Sequence, residues 1–393
     1  MRKDWENKKL GEIGTIITGS TPSTKDNSNY LPQEYCFVKP SDLIEYGISK
    51  IEKTEFYVSK KGFSISRALP AGTVLVSCIG SIGKIGVLTK EACSNQQINA
   101  IVPFDNIDSF YLAYILSGMK YKFKEIANAP VVPIINKTAF SKVIIPIPPM
   151  PTQLAIVAEL DKLNEMIRLK KKQLEDYDQL AQSIFYEMFG DPVENEKGWE
   201  VKKLGEVCID ITDGDHMPPP KASKGIPFIT ISNINKETRE LNFENTFFVS
   251  EEYYNNLKDN RKARLGDLLY TVTGSYGIPV TVETNIPFCF QRHIALIRPK
   301  QNVLSTKYLC FWVLCENVKS MADRAATGIA QKTVGLNTIR NFKVILPPLP
   351  LQQQFAARIE AIEQQKQQVK DAIKDLETLL ASRMQYWFDF TPD

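Results

Sequence analysis

Histidine is nearly absent from this 393-residue chain, with His216 and His293 the only two. A structural zinc site would therefore have to rely on thiols, and the seven cysteines are scattered without a C-x-x-C pair. That odd, unpaired set gives no disulfide framework either, and it fits a reducing cytoplasm. No uninterrupted apolar run is long enough to span a bilayer, and Met1-Arg2-Lys3-Asp4-Trp5-Glu6 lacks the apolar core of a signal peptide, so no membrane role is expected. Strong charge of one sign is missing too, since the net charge is only +3.

The charge that is present lies unevenly. Lys and Arg outnumber Asp and Glu 18 to 13 over residues 1–150 and 20 to 18 over 191–350, but fall behind 5 to 7 over both 151–190 and 351–393. That partition suits globular parts facing a polyanion, joined by segments that do not. With 43% apolar residues at this length, two domains or more are expected, each with a sizeable core.

The chain is written twice. Trp5-Glu6-Asn7-Lys8-Lys9-Leu10-Gly11-Glu12 returns 194 residues later as Trp199-Glu200-Val201-Lys202-Lys203-Leu204-Gly205-Glu206. In the same order, Phe56-Tyr57-Val58-Ser59 returns as Phe247-Phe248-Val249-Ser250. Cys78-Ile79-Gly80-Ser81-Ile82-Gly83 returns as Val272-Thr273-Gly274-Ser275-Tyr276-Gly277, and Pro148-Pro149-Met150-Pro151-Thr152-Gln153 as Pro347-Pro348-Leu349-Pro350-Leu351-Gln352. Each copy thus has a globular part, a Pro-rich junction and a stretch of helical periodicity.

In the first such stretch Ile156, Leu160, Leu163, Ile167, Leu174, Tyr177, Ala181, Ile184 and Met188 alternate spacings of four and three, with Lys170 interrupting. In the second, Phe355, Ile359, Ile362, Val369, Ile373, Leu376, Leu380 and Trp387 form the stripe, with Lys366 and Arg383 as interruptions. A narrow apolar seam needs a partner, and the other helix is the obvious one. The expected architecture is mixed α+β: two similar globular domains at 1–150 and 191–350, and two long helices at 151–190 and 351–393. A two-fold relation between the copies makes the helices an antiparallel coiled coil, with about 36 residues spanning roughly 54 Å. The bland alternative is that each helix caps its own domain. Within the globular parts, residues 72–77 and 266–271 read as strands followed by glycine turns. Asp108 and Ser305-Thr306 precede apolar helices as N-caps.

Catalytic constellations fit poorly. Asn128-Ala129-Pro130-Val131 lacks the second proline and the aromatic of an adenine-methylase loop, and reads as a turn. Gly80-Ser81-Ile82-Gly83-Lys84-Ile85-Gly86 lacks the Walker spacing and its final Lys-Ser/Thr; it is a turn that could show backbone amides to phosphate, or a plain strand connection. Asp191 with Glu200 and Lys202 is too permissive a nuclease pattern, because Glu6 and Lys8 repeat it at the start of the chain. Asp213-Gly214-Asp215-His216 is explained by a glycine-centred turn rather than a metal site.

Side chains suited to base edges or phosphates gather in three places per copy. The glycine turns supply Ser81 and Lys84, then Ser275 and Tyr276. Ser94-Asn95-Gln96-Gln97 and Gln291-Arg292-His293 precede apolar runs. Asn136 and Lys137, then Gln331 and Lys332, lie in the late loops before the junctions. The structural alternative is that these residues solvate loops or cap turns.

With that layout in place, residues 181–192 (AQSIFYEMFGDP), leading into Gly198-Trp199 and Lys203-Leu204-Gly205-Glu206-Val207, resemble the central region of type I restriction-modification specificity subunits. The paired junctions at 148–153 and 347–352 do so as well. The resemblance implies two target recognition domains, each reading one half of a split double-stranded DNA target, with paired helices setting the gap. It implies no catalysis and no cofactor in this chain. S-adenosylmethionine, ATP and Mg²⁺ would belong to partners: two modification subunits that methylate adenine, and the restriction subunits such complexes can recruit. The runners-up are a methyltransferase or nuclease with fused recognition domains, and a coiled-coil adaptor with no DNA role.

Overall fold

The computed structural model describes residues 4–45, 47–127, 132–216, 219–328 and 332–388. They fall into two compact units, Met1–Lys171 with Asp371–Asp393, and Lys172–Lys370.

In the first unit a twisted sheet carries β2 (Gly14–Thr18), β4 (Ile48–Ile51), β6 (Val74–Ser77), β7 (Ile85–Leu88) and β9 (Ile98–Pro103), in the order β2-β9-β6-β7-β4. A smaller sheet orders β5 (Phe56–Val58), β3 (Tyr35–Val38) and β8 (Ala92–Ser94) as β5-β3-β8, and β1 (Glu6–Lys9) pairs antiparallel with β10 (Ile144–Ile147). The second unit repeats the plan. β11 (Glu200–Lys203) pairs with β19 (Lys343–Leu346). β12 (Cys208–Asp213), β18 (Ile294–Pro299), β15 (Leu268–Thr271) and β16 (Pro279–Thr281) form one sheet, and β14 (Phe247–Val249), β13 (Ile226–Ile229) and β17 (Cys289–Phe290) another. Only β4 has no counterpart among the described residues.

The repeated sequence blocks are explained by repeated bonds. The Lys-Leu-Gly-Glu motif starts a short helix whose Glu12 and Glu206 carboxylates accept from the amides of Lys9 and Lys203 (2.8 and 3.3 Å), while Leu10 and Leu204 are wholly buried. Ser59 and Ser250 close β5 and β14 by capping the next helix, accepting from the amides of Gly62 and Tyr253. The junction glutamines are the most telling case. Gln153 is fully buried; its Oε1 accepts from Asp108 N (2.9 Å) and its Nε2 donates to the carbonyls of Asn106 and Pro148 (3.1 and 2.9 Å). Gln352 does the same with Ser305 N (2.9 Å) and the carbonyls of Val303 and Pro347 (3.1 and 2.8 Å). Each glutamine therefore ties the first turn of a long helix to its own globular part.

The long helices run Met150–Phe189 and Leu349–Phe388, 40 residues each and longer than the periodic stretch suggests. Pro151 and Pro350 sit in their first turns, where a missing N–H costs nothing. Within the first unit Glu159 meets Arg383 and Trp387 (Trp387 Nε1–Oε2 3.0 Å), and Lys171 meets Glu377 (2.9 Å). Within the second, Lys366 meets Asp178 (2.8 Å), and Phe185 and Phe189 pack on Phe355 with ring centroids 5.6 and 5.4 Å apart. As one helix advances the other recedes, so the pairing is antiparallel in each unit. Lys366 and Arg383 thus interrupt the seam as cross-helix ion pairs that favour one register.

Two expectations are corrected. At the end of the first long helix the buried residues are Ala181, Phe185 and Phe189, not Ile184 and Met188, which are only partly buried. The seam slips one position because these last turns plug the second unit's core beside Tyr308 and Phe355 instead of following a heptad. Asp108 caps its helix, accepting from Phe110 N and Tyr111 N (2.9 and 2.8 Å), but the Ser305 side chain makes no such bond. The Ser305 amide goes to Gln352, and the Thr306 hydroxyl donates to Gly266 O (2.5 Å).

Candidate nucleic-acid interface

The three loop groups marked by the sequence are brought together in each unit by the same backbone bonds. In the first, Cys78 N donates to Gln97 O (2.7 Å), Ile135 N to Cys78 O (2.9 Å) and Gly80 N to Pro133 O (3.2 Å). In the second, Val272 N donates to His293 O (2.9 Å), Val334 N to Val272 O (2.9 Å) and Gly274 N to Lys332 O (3.1 Å). The glycine turns are closed alike. The Ser77 and Thr271 hydroxyls donate to the carbonyls of Ser81 and Ser275, and accept from Lys84 N and Ile278 N (2.9 and 3.0 Å). Gly80, Gly83, Gly274 and Gly277 hold φ between 70 and 91°, which is why the Gly-Ser-x-Gly spacing recurs.

That frame decides which side chains are free. The amides of Gly80, Ile82, Gly83 and Lys84 all bond within the protein, so the turn does not present a run of free amides to phosphate. Ser81 is exposed; Lys84 is half-buried with its ammonium 3.5 Å from Glu45, which Lys120 also engages. Asn95 is buried and closes its own turn, giving Nδ2 to Gln97 Oε1 (2.8 Å) and accepting from Gln97 N (3.1 Å). Gln96 is exposed and accepts from the Thr21 hydroxyl (2.5 Å). Asn136 caps the following helix through Ala139 N (2.8 Å), while Lys137 is exposed.

In the second unit Ser275 accepts from Lys236 (2.8 Å) and Tyr276 donates to Asp323 (2.6 Å), a bond that raises the phenol's pKa. Gln291 and His293 are half-buried and Arg292 is exposed. Burial, then the neighbouring Arg292 charge, lower the His293 pKa and so favour the uncharged imidazole. Lys332 is exposed, and Gln331 lies outside the described residues, as does Asn128–Val131. Asn136 and Lys332 lie in corresponding crossing loops of the two units without being equivalent, since Ile135 matches Val334 and Pro133 matches Lys332.

A fourth loop joins each cluster. Ser20 N donates to Ser94 O (2.8 Å), and Asp215 N to Phe290 O (2.9 Å). Gly19 and Gly214 make this approach possible, because a Cβ there would fall 2.1 Å from Asn95 O and 1.9 Å from Phe290 O. Thr21, Asp213 and His216 are thereby placed in the clusters. The only signal for them in the sequence was the glycine. Asp213 pairs with His216 (2.8 Å) and Arg261 (3.5 Å), and Asp215 with Arg261 (3.7 Å). With Thr273, Arg292 and His293, Asp213 and His216 line a cavity of about 350 Å³. Among the described residues no cluster of metal-ligating side chains occurs. The nuclease pattern dissolves: Glu200 pairs with Lys202 (3.0 Å) as Glu6 does with Lys8 (2.8 Å), while Asp191 caps a turn and accepts from Asn317 (2.6 Å).

Comparison with known proteins bears on both copies. The family model of the type I restriction modification DNA specificity domain matches residues 2–176 and again 196–377. The type I restriction enzyme MjaIX specificity subunit of Methanocaldococcus jannaschii is 26% identical over 386 residues, covering 92% of this chain and 87% of that one. A chain from a type I R-M system, solved for its complex assembly and conformational transition, superposes with a TM-score of 0.63 at 19% identity over 98% of this chain and 97% of its own. The S subunit from M. genitalium gives 0.54 at 14% identity, over 100% and 98%.

Proposed function

The chain belongs to the type I restriction modification DNA specificity family through both of its repeats, and from that premise we propose that each repeat reads a different half of a two-part, asymmetric duplex target. It is the DNA-recognition subunit of such a system and not its catalyst. Cofactor chemistry belongs to the partner modification and restriction subunits.

One observation carries the two-half reading. The same four-loop frame, held by the same backbone bonds, presents different side chains in the two units: Gln96 and Gln97 in one, Arg292 and His293 in the other. A rigid frame with interchangeable tips is what direct readout of base edges requires, because geometry must be fixed while donor and acceptor patterns vary. The exposed tips Ser81, Gln96, Lys137, Ser275, Arg292 and Lys332 are assigned to DNA contact, while Asn95 and Asn136 are assigned to the frame. In this scheme the paired long helices set the gap between half-sites, and two modification subunits dock on the chain and flip and methylate adenine. Work on DNA places the complex in the cytoplasm. Among the described residues no helix is long and apolar enough to cross a membrane.

Methyladenine mapping in cells expressing this chain with its modification subunit, against cells expressing either alone, tests the reading. Methylation of a two-part motif only with both present supports it. Methylation by this chain alone would refute the division of labour.

A further inference from the structure

We propose that Arg292 is a specificity-determining residue that reads a guanine in the half-site bound by the second repeat. The inference rests on the DNA-recognition reading of the loops and deepens it by naming a base.

The backbone beneath Arg292 is held from three sides. Gln291 N donates to Ile229 O (3.1 Å), Arg292 N to Asp215 O (3.0 Å), and Val272 N to His293 O (2.9 Å). On this fixed support the guanidinium is exposed and has no partner among the described residues. The nearby acids do not claim it. Asp213 is taken by His216 and Arg261, and Asp215 by Arg261. Two cations beside Arg292's loops are different in kind: Lys236 is tied to Ser275, and the exposed Lys332 carries a single point charge suited to phosphate. A planar guanidinium with two parallel N–H groups matches the O6 and N7 acceptors of guanine in the major groove. Gln96 holds the equivalent place in the first unit, fixed by the matching Cys78–Gln97 bond, and offers an amide instead. The first half-site therefore carries no arginine-read guanine at the corresponding position.

The test uses the full chain with its modification subunits on duplexes of the mapped target, with each guanine replaced in turn by 7-deazaguanine, which lacks N7. At one guanine in one half-site the replacement weakens binding by the wild-type complex roughly five- to hundredfold, and leaves binding by Arg292→Gln unchanged. Thermal melting of the variant, together with its retained discrimination in the other half-site, shows that it is folded. If every deaza replacement weakens wild type and variant equally, the guanine assignment is overturned; a variant that only lowers the salt dependence would make Arg292 a phosphate contact and overturns it too. Wild type that binds every deaza duplex as it binds the unmodified target overturns the guanine assignment alone, whereas wild type that binds a duplex of unrelated sequence as tightly as the target would remove the DNA-recognition reading itself, and this inference with it.

Discussion

Replacing Gln153 by methionine keeps nearly the same volume but removes both polar ends of a fully buried side chain. Three partners lose their bond: the Asp108 amide and the carbonyls of Asn106 and Pro148. Each lost bond is worth about 1 kcal/mol net, and a buried amide left without an acceptor costs about 1–3 kcal/mol, so the sum comes to roughly 3–5 kcal/mol. For a unit of this size that lowers the melting temperature by about 10 °C. Hydrogen exchange is the better assay, because a two-unit chain need not unfold in one step. Amides of the helix Ser109–Gly118 should lose protection in Gln153→Met, and amides of Thr306–Leu314 in Gln352→Met, while Gln354→Ala on the exposed face should change neither. If Gln153→Met lies within about 1 kcal/mol of wild type, the junction glutamine does not hold the long helix to its globular part.

Other perturbations separate other forces. Arg298 and Asp267 form a buried bidentate pair (2.8 and 2.7 Å), so Arg298→Met strands a carboxylate and should cost roughly 3–5 kcal/mol in denaturant melts. Adding Asp267→Asn should recover more than half; a double variant as unstable as the single would sink this account. Arg383, with smaller help from Trp387, lowers the Glu159 pKa below 4.5. A depressed carboxylate stabilises above its unfolded pKa and ceases to as pH falls through the lowered folded value. Exchange protection near Arg383 should thus be full at pH 6 and fall below about pH 4, and should lose that acid dependence in Glu159→Gln. Lys137→Ala and Lys332→Ala should each reduce the slope of log affinity against log salt by about 0.9 if each meets one phosphate, without changing the methylated motif. A matched seven-residue insertion in both long helices adds about 10 Å while keeping the seam. At roughly 3.4 Å per base pair the mapped gap should grow by about three base pairs, and an unchanged gap would remove the spacer role.

What the sequence makes legible, and what it hides, follows from where the bonds lie. Capping glutamates, capping serines and junction glutamines act through side chains on nearby residues, so the blocks that contain them repeat visibly. The four-loop clusters are assembled by amides and carbonyls up to 79 residues apart in sequence, as between Gly19 and Ile98, and every residue carries those groups, so no residue type announces the contact. The loops 19–21 and 213–216 were legible only as turns for that reason. Phe185 and Phe189 fall outside the stripe for a different reason: a heptad count assumes that the helix keeps its partner and so picks Ile184 and Met188, and here the last turns leave the seam for a domain core.

The division of the site into frame and tips has a consequence for stability. Backbone bonds and a few side chains carry the frame, and replacing Asn136 should cost about 1 kcal/mol as the loss of a helix cap. Exposed tips such as Gln96, Arg292 and Lys332 make few or no contacts within the protein, and substitutions at such positions usually change stability by less than about 0.5 kcal/mol. Recognition can then change at almost no cost to folding, provided the glycines at 80, 83, 274 and 277 keep their left-handed backbone. The two units already illustrate it within one chain, with amides at the tip of one frame and a guanidinium beside an imidazole at the tip of the other.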